Sequence, residues 1–260
     1  MHNIQPVISI VTATYNAESH LQNLIKSIIP QKTERVELII IDGKSKDGTI
    51  GIIEDNNEFI DYWISEPDTG IYDAWNKGIN IARGKWIMFL GADDVLKENS
   101  LSKLMFSLKN IKTANEIDLI SSKVEMINDQ RHITRVKGWP WCWPNFLFEM
   151  TIAHPGALHS RKLFEKYGIF NVKYKITGDY ELLLRAKSKL KTYFIDEVIV
   201  QMSEGGASDS IKAIKEQRRA SIKTGGANSI LAYLNFSGIL IKYIIKKVFR
   251  KVGLNLYLKK

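Results

Sequence analysis

The 260-residue sequence predicts an α/β fold built on a mostly parallel, doubly wound sheet with helices on both faces. Three observations predict it. Residues 7–14 (VISIVTAT), 36–41 (VELIII) and 86–90 (WIMFL) are apolar runs of strand length, the first two rich in β-branched residues. The segments between them carry apolar residues at helical spacing. Each run also ends in a polar loop rich in Gly, Ser or Asp, where a parallel strand hands over to its crossover helix.

Taken in order, the first strand passes through a polar loop (residues 15–19) to a helix with Leu21, Leu24, Ile25, Ile28 and Ile29 on one face. The second strand ends at Asp42 in the turn DGKSKDGT, and a helix follows over residues 49–56. A short strand at 62–65 precedes a helix at 73–82, with Ala74, Ile79 and Ala82 inward. The strand at 86–90 then runs straight into Gly91, Ala92, Asp93 and Asp94. Beyond lie a helix near 101–110, a strand at 118–121, an aromatic-rich stretch at 138–148, helices near 161–167 and 180–187, and a strand at 192–200.

Hydrophobic residues make up 45% and charged residues 25%, the balance of an ordinary globular chain. Cys142 has no second cysteine to pair with. No charged segment followed by a long apolar run opens the chain, and the apolar stretches are expected to fall short of the roughly 20 residues a spanning helix needs. The net charge of +9 is unevenly placed. Residues 205–260 hold 12 Lys+Arg against 2 Asp+Glu, whereas the rest holds 25 against 26. A nucleic-acid enzyme spreads basic residues through its active-site domain, so a nucleic-acid partner is not expected.

Two adjacent carboxylates after an apolar strand repel each other, and a divalent cation removes that repulsion. Mg²⁺ and Mn²⁺ take oxygen ligands, typically one or two carboxylates with phosphate oxygens beside them. Asp93 and Asp94 therefore read as a metal and diphosphate site, with Asp94 as a helix cap the alternative. Asp42 reads either as an acceptor for a nucleobase or ribose at the sheet edge or as a turn residue. Ligands of such sheets bind beyond the carboxyl ends of the strands, which places Asp42 and Asp93 at one crevice. Neither a G-x-G-x-x-G after the first strand nor a P-loop is present, which disfavours a nicotinamide cofactor and P-loop chemistry.

The segments ISIVTATYNAESHL, LIIIDGKSKDGT and EPDTGIYDAWNKGINIARGKWIMFLGADDVL, followed by ITGDYELLLRA, resemble in order and spacing the family 2 glycosyltransferases. That resemblance implies a GT-A, Rossmann-like fold. It covers a catalytic domain at 1–208, with a nucleotide-sugar half at 1–96 and an acceptor half at 97–208; the charge count sets apart a basic helical tail at 209–260. The resemblance implies that Thr12, Tyr15 and Asp42 contact the nucleoside, that Asp68, Asn76 and Lys77 line the donor side, and that Asp93 binds Mn²⁺ or Mg²⁺ with Asp94 helping. For Lys77 a solvated helix lysine is the alternative. Gly91 stands where many members carry the first Asp of a D-x-D motif. Asp179 matches the base that deprotonates the acceptor hydroxyl, its alternative being a helix N-cap. His154, in AHPGALHSRKLF, and Trp141 and Trp143 are assigned to the acceptor, against core packing as the alternative.

The resemblance implies an inverting transfer of one hexose or N-acetylhexosamine from a nucleotide sugar, with a UDP-sugar favoured, to a polyprenyl-diphosphate-linked glycan. The pathways implied are bacterial O-antigen, capsule or exopolysaccharide synthesis on the cytoplasmic face of the inner membrane. Two other readings compete: a nucleotidyltransferase, and a non-catalytic, membrane-associated binder of sugar nucleotides. In the tail, ILIKYIIKKVFRKV (residues 239–252) separates Lys242, Lys246, Lys247, Arg250 and Lys251 from Ile241, Ile244, Ile245, Val248, Phe249 and Val252 at helical period. This predicts a basic amphipathic helix lying on a membrane surface, against a helix packed on the body.

Overall fold

The computed structural model describes residues 5–128 and 130–251. The first half alternates as expected: β1 (Ile8–Thr14), α1 (Leu21–Ile28), β2 (Val36–Asp42), α2 (Thr49–Asp55), β3 (Tyr62–Ser65), α3 (Ile71–Ile81) and β4 (Trp86–Gly91). The second half holds β5 (Val95–Leu96), α4 (Ser100–Asn110), β6 (Leu119–Ile127), β7 (Ile133–Lys137), α5 (Trp143–Phe146), β8 (Leu158–Ser160), α6 (Arg161–Tyr167), α7 (Gly178–Ala186), β9 (Thr192–Ser203), α8 (Ile211–Ala220) and α9 (Ser229–Lys251).

One sheet runs in the order β3-β2-β1-β4-β8-β6-β9-β5, with β7 beside β6. The β3-β2-β1-β4 block is parallel, while β8 joins β4 and β6 antiparallel and makes the second half mixed. Alternate residues of the buried strands feed two cores. Ile8, Ile10, Leu38 and Ile40 meet Leu21, Leu24, Ile25 and Ile28 of α1 on one face. Val11, Ile39, Ile41 and Phe89 meet Trp75 and Ile79 of α3 and Leu182 and Leu183 of α7 on the other.

The β6–β7 hairpin and β8 depart from the sequence reading, which places one short strand at 118–121. Residues 119–127 alternate buried residues with half-buried Lys123 and Glu125, and β8 is only three residues long, so neither forms an apolar run.

The tail also departs from expectation. α9 begins at Ser229, ten residues before the segment read as amphipathic, and its Ser229–Phe249 stretch is long and apolar enough to cross a membrane. It is anchored along one side. The Arg218 guanidinium of α8 lies 4.3 Å from the Tyr233 ring centroid and 4.4 Å from that of Phe236, and Lys246 pairs with Asp209 at 3.2 Å. Lys246 is thus paired with Asp209, just before α8, and does not face outward with Lys242 and Lys247. Ile230, Leu231, Leu234, Ile241, Ile244, Ile245 and Val248 are exposed. Val252 and the side chains of Arg250 and Lys251 lie outside the described residues.

Candidate active site

In the parallel block, register places Thr14 opposite Asp42 and Asp42 opposite Ser65 at the carboxyl ends of β1, β2 and β3. Asp42 Oδ1 accepts from the hydroxyls of Thr14 at 2.9 Å and Ser45 at 2.5 Å. Its Oδ2 accepts from the Ser45 N–H at 2.9 Å and the Ser65 hydroxyl at 2.7 Å. Asp42 is 0% exposed. Both oxygens are engaged, and through them Asp42 ties the strand ends together. Thr12 is buried between strands and its hydroxyl makes no hydrogen bond among the described residues, so it is set back from the crevice. Thr14, two residues on, is the β1 threonine at the strand end.

Above this floor the surface is open. Tyr15 is 64% exposed. Gly43 lies between Tyr15 and Asp68: a Cβ there would stand 2.6 Å from Asp68 Oδ2 and 3.3 Å from Tyr15 Cδ2. An aromatic face and a carboxylate are therefore adjacent where β1, β2 and β3 end. Asp68 Oδ1 accepts from the Gly70 N–H at 2.8 Å. Lys77 is held back, its ammonium 2.7 Å from Glu66 and 2.9 Å from the Pro67 carbonyl. Asn76 is buried, and its amide bonds both the N–H and the C=O of Phe170 at 2.9 Å. It stitches α3 to the loop before α7 and lines no donor crevice.

The carboxylates after β4 divide. Asp93 is exposed, whereas Asp94 is buried and accepts from the Gly91 N–H at 2.7 Å. Burial first, then the charge of Asp93, pushes the Asp94 carboxyl well above the usual range. This uncompensated repulsion fits a divalent cation, which would relieve it. Among the described residues no three His, Cys, Asp or Glu side chains converge on one point, so such a cation would draw further ligands from donor phosphates and water. A Cβ at Gly91 would stand 2.9 Å from Asp93 Oδ1 and 3.3 Å from Asp94 Oδ2.

Beside this end of the sheet, a cavity of about 260 Å³ is lined by Asp179, Lys137, Trp139, His154 and Ser203 among others. The Ser203 hydroxyl donates to the Asp93 carbonyl at 3.4 Å, linking the cavity wall to the carboxylate pair. Asp179 stands in the first turn of α7. Burial raises its carboxyl above the ordinary value, against the lowering hydrogen bonds from the Tyr180 N–H and the Tyr72 hydroxyl. A carboxylate raised in this way is a stronger proton acceptor than an exposed one. Burial first, then the charges of Arg135 and Lys246, draws the Lys137 ammonium down to about 8, against the raising charges of Asp209 and Glu204.

His154 lines the cavity but is buried, with its ring stacked on Trp75 at 5.0 Å and near Phe89 at 5.6 Å. Burial lowers it to about 3, which keeps the imidazole neutral. Trp141 and Trp143 pack against the core, Trp141 4.4 Å from Phe146, which in turn meets Tyr180 at 5.0 Å. They do not form the open platform expected of them. Trp139, 47% exposed, is the indole on the cavity wall.

The glycosyl transferase family 2 profile matches residues 9–177, nearly two thirds of the chain. The chain is a family 2 glycosyltransferase. This glycosyltransferase is 30% identical over 213 residues, 79% of its own length and 80% of the relative's, to a PGL/p-HBAD biosynthesis glycosyltransferase of Mycobacterium tuberculosis. It is 34% identical over 106 residues, 40% of its length and 42% of the relative's, to the putative teichuronic acid biosynthesis glycosyltransferase TuaG of Bacillus subtilis. Among solved structures, S. aureus TarS 1-349 in complex with UDP-GlcNAc is similar with a TM-score of 0.65 and 14% identity, over 90% of this chain and 71% of that one. The mannosyltransferase PcManGT of Pyrobaculum calidifontis, in complex with GDP-Man and Mn2+, gives 0.61 and 17%, over 90% and 70%. The fold is thus the GT-A fold expected.

Sequence reasoning missed Thr14, Ser45 and Ser65 around Asp42, and Tyr72 and Glu216 around Asp179. Register was the available signal for Thr14 and Ser65, since both sit at strand ends level with Asp42. Tyr72 lies 107 positions from Asp179, and no local pattern joins them.

Proposed function

We propose that this glycosyltransferase moves one hexose or N-acetylhexosamine from a UDP-sugar, with inversion, to a lipid-linked glycan of bacterial surface polysaccharide. The observation that carries the reading is the pairing of an exposed Asp93, backed by buried Asp94, with Asp179 on the wall of the adjoining cavity. Tyr15 and Asp68 receive the nucleoside on the open strand ends. Asp93, with Asp94 beside it, would hold Mn²⁺ or Mg²⁺, which when bound would supply positive charge to the departing diphosphate.

The acceptor hydroxyl oxygen forms a bond to the anomeric carbon as the bond from that carbon to the diphosphate oxygen breaks. The electron pair of the broken bond leaves on UDP, and the hydroxyl proton passes to the Asp179 carboxylate. Attack from the face opposite the leaving group turns an α-linked donor into a β-glycoside. Trp139 offers the acceptor sugar an apolar face. The relatives' work in PGL/p-HBAD and teichuronic acid biosynthesis and the UDP-GlcNAc complex of TarS support the donor class and the envelope glycan.

The exposed apolar side of α9, with Lys242 and Lys247, supports attachment at the cytoplasmic membrane face, where a lipid-linked acceptor is found. The test is a donor screen with the full chain, Mn²⁺ or Mg²⁺ and a synthetic lipid diphosphate sugar, reading released nucleotide. Asp93→Ala is expected to abolish metal-dependent release while the protein stays folded. Full release by both parent and variant in excess chelator would sink the metal role.

A further inference from the structure

Asp179 is the second residue of α7, and the residues before that helix are held from outside their own segment. Thr177, at the N-cap position, makes no side-chain cap. A carboxylate of α8 instead holds the N–H groups of the turn just before the helix. Glu216 Oε1 accepts from the Lys175 N–H at 2.9 Å, and Oε2 accepts from the N–H groups of Ile176 at 2.7 Å and Thr177 at 2.8 Å. The Thr177 hydroxyl adds a fourth bond at 3.2 Å. Successive N–H groups aimed at one point form an anion-binding concavity, and here its occupant is a side chain of the same protein.

The Ile176 peptide is gripped from both sides. Its N–H goes to Glu216, and its carbonyl accepts from the Tyr72 hydroxyl at 2.8 Å. The same hydroxyl reaches Asp179 Oδ1 at 2.9 Å. Burial pushes the Glu216 carboxyl up, but the three N–H groups and the Thr177 hydroxyl outweigh it and bring the carboxyl below its ordinary value, so Glu216 is ionised at neutral pH.

We infer that Glu216 is a positioning residue: it fixes the Lys175–Thr177 turn, and through it sets the place of the Asp179 carboxylate on the cavity wall. It rests on Asp179 as the base. Other charged or titratable groups facing Asp179 are Tyr72 of α3 and, around the shared cavity, Arg135, Lys137, Glu149, His154, Glu204 and Asp209. Glu216 differs from the cavity groups in being joined to the Asp179 segment by four hydrogen bonds, and its charge raises the Asp179 carboxyl. Two residues on, Arg218 grips α9, so α8 carries contacts to the base segment and to the terminal helix alike.

The test is Glu216→Gln in the full chain, measured three ways. Carboxyl-labelled aspartate NMR reads the Asp179 titration, assigned by its absence in Asp179→Asn. Steady-state turnover of the UDP-sugar selected by the donor screen reads kcat and donor KM, and thermal unfolding reads Tm. A positioning role predicts a kcat loss of about tenfold or more, with donor KM changed by less than about twofold. It also predicts a downward shift of the Asp179 midpoint, because a nearby negative charge has been removed. A fall in Tm with kcat and midpoint unmoved would mean that Glu216 only holds the fold, and would overturn the inference. If Glu216→Gln does not fold, Glu216→Asp keeps the charge and shortens the reach; kcat must then fall with the midpoint nearly in place, and an unchanged kcat overturns the inference. Full turnover by Asp179→Asn would overturn both the base and its positioning residue, whereas a dead Asp179→Asn beside an unaffected Glu216→Gln overturns the positioning alone.

Discussion

The Tyr72 hydroxyl stands 2.9 Å from Oδ1 of Asp179, joining α3 of the nucleotide half to the first turn of α7. Burial above all, helped by the Asp179 charge, holds the Tyr72 hydroxyl well above its ordinary value, so it remains a proton donor through the working pH range. The bond favours the ionised carboxylate and works against the burial that raises Asp179. Tyr72→Phe removes it without changing the ring. We expect the acid limb of kcat/KM to move to higher pH and kcat to fall by about tenfold. A pH-rate profile of the variant against the parent checks this, and an acid limb that stays in place would remove Tyr72 from the account. The shift is opposite in sign to that expected of Glu216→Gln.

Gly91 meets the carboxylate pair at its closest. A methyl group there would stand 2.9 Å from Asp93 Oδ1, the far end of an exposed side chain that can swing aside. Gly91→Ala is therefore expected to fold with nearly the parent Tm and to lose metal-dependent turnover by about tenfold or more, since the displaced oxygen is the proposed metal ligand. Turnover measured across a Mn²⁺ titration, beside a melting curve, separates the two effects. Parent-like turnover at limiting Mn²⁺ would count against Asp93 as the ligand.

His154 links stability to pH. Its folded value, about 3, lies below the ordinary 6.5, so the unfolded chain binds a proton that the folded chain refuses between those values. The stability due to neutral His154 is fully present above pH 6.5 and is lost as pH falls toward 3. His154→Phe keeps a ring against Trp75 and Phe89 and has nothing to protonate. Near pH 5 it is expected to gain about 2 kcal/mol on the parent relative to their difference at neutral pH. Urea unfolding at both pH values measures it, and parallel pH dependence in the two proteins would refute it.

The terminal helix offers a prediction about location. Leu234, Ile241 and Ile245 are exposed on α9, away from the α8 contacts made by Tyr233 and Phe236. Replacing all three with Glu should leave Tm within a few degrees and abolish sedimentation with vesicles of anionic lipid. Retained sedimentation would show that this side of α9 does not meet the membrane.

The limits of sequence reading fall along physical lines. The buried strands β1, β2 and β4 were legible because a strand covered on both faces must be apolar along its length. β6, β7 and β8 were not, since each is partly solvated or very short. Asp42 was found by its place after a strand, but its partners were not: register brings Thr14 and Ser65 level with it, and their hydroxyls bond its oxygens. For Trp139, Trp141 and Trp143, a period of two residues could not tell which indole would turn toward the core.

The sequence by itself determined the doubly wound core, the placing of Asp93 and Asp94 just past a buried strand, and the concentration of positive charge in the tail. Those properties are local, set by the burial of consecutive residues or by counting. Tertiary structure alone decided that Asp94 is buried and Asp93 open, and that Asn76 is consumed by Phe170. It also decided that Asp179 meets Tyr72 of α3, and that the turn before it meets Glu216 of α8. Such outcomes depend on which hydrogen-bond partners folding brings within about 3 Å, a distance that separation along the chain does not encode.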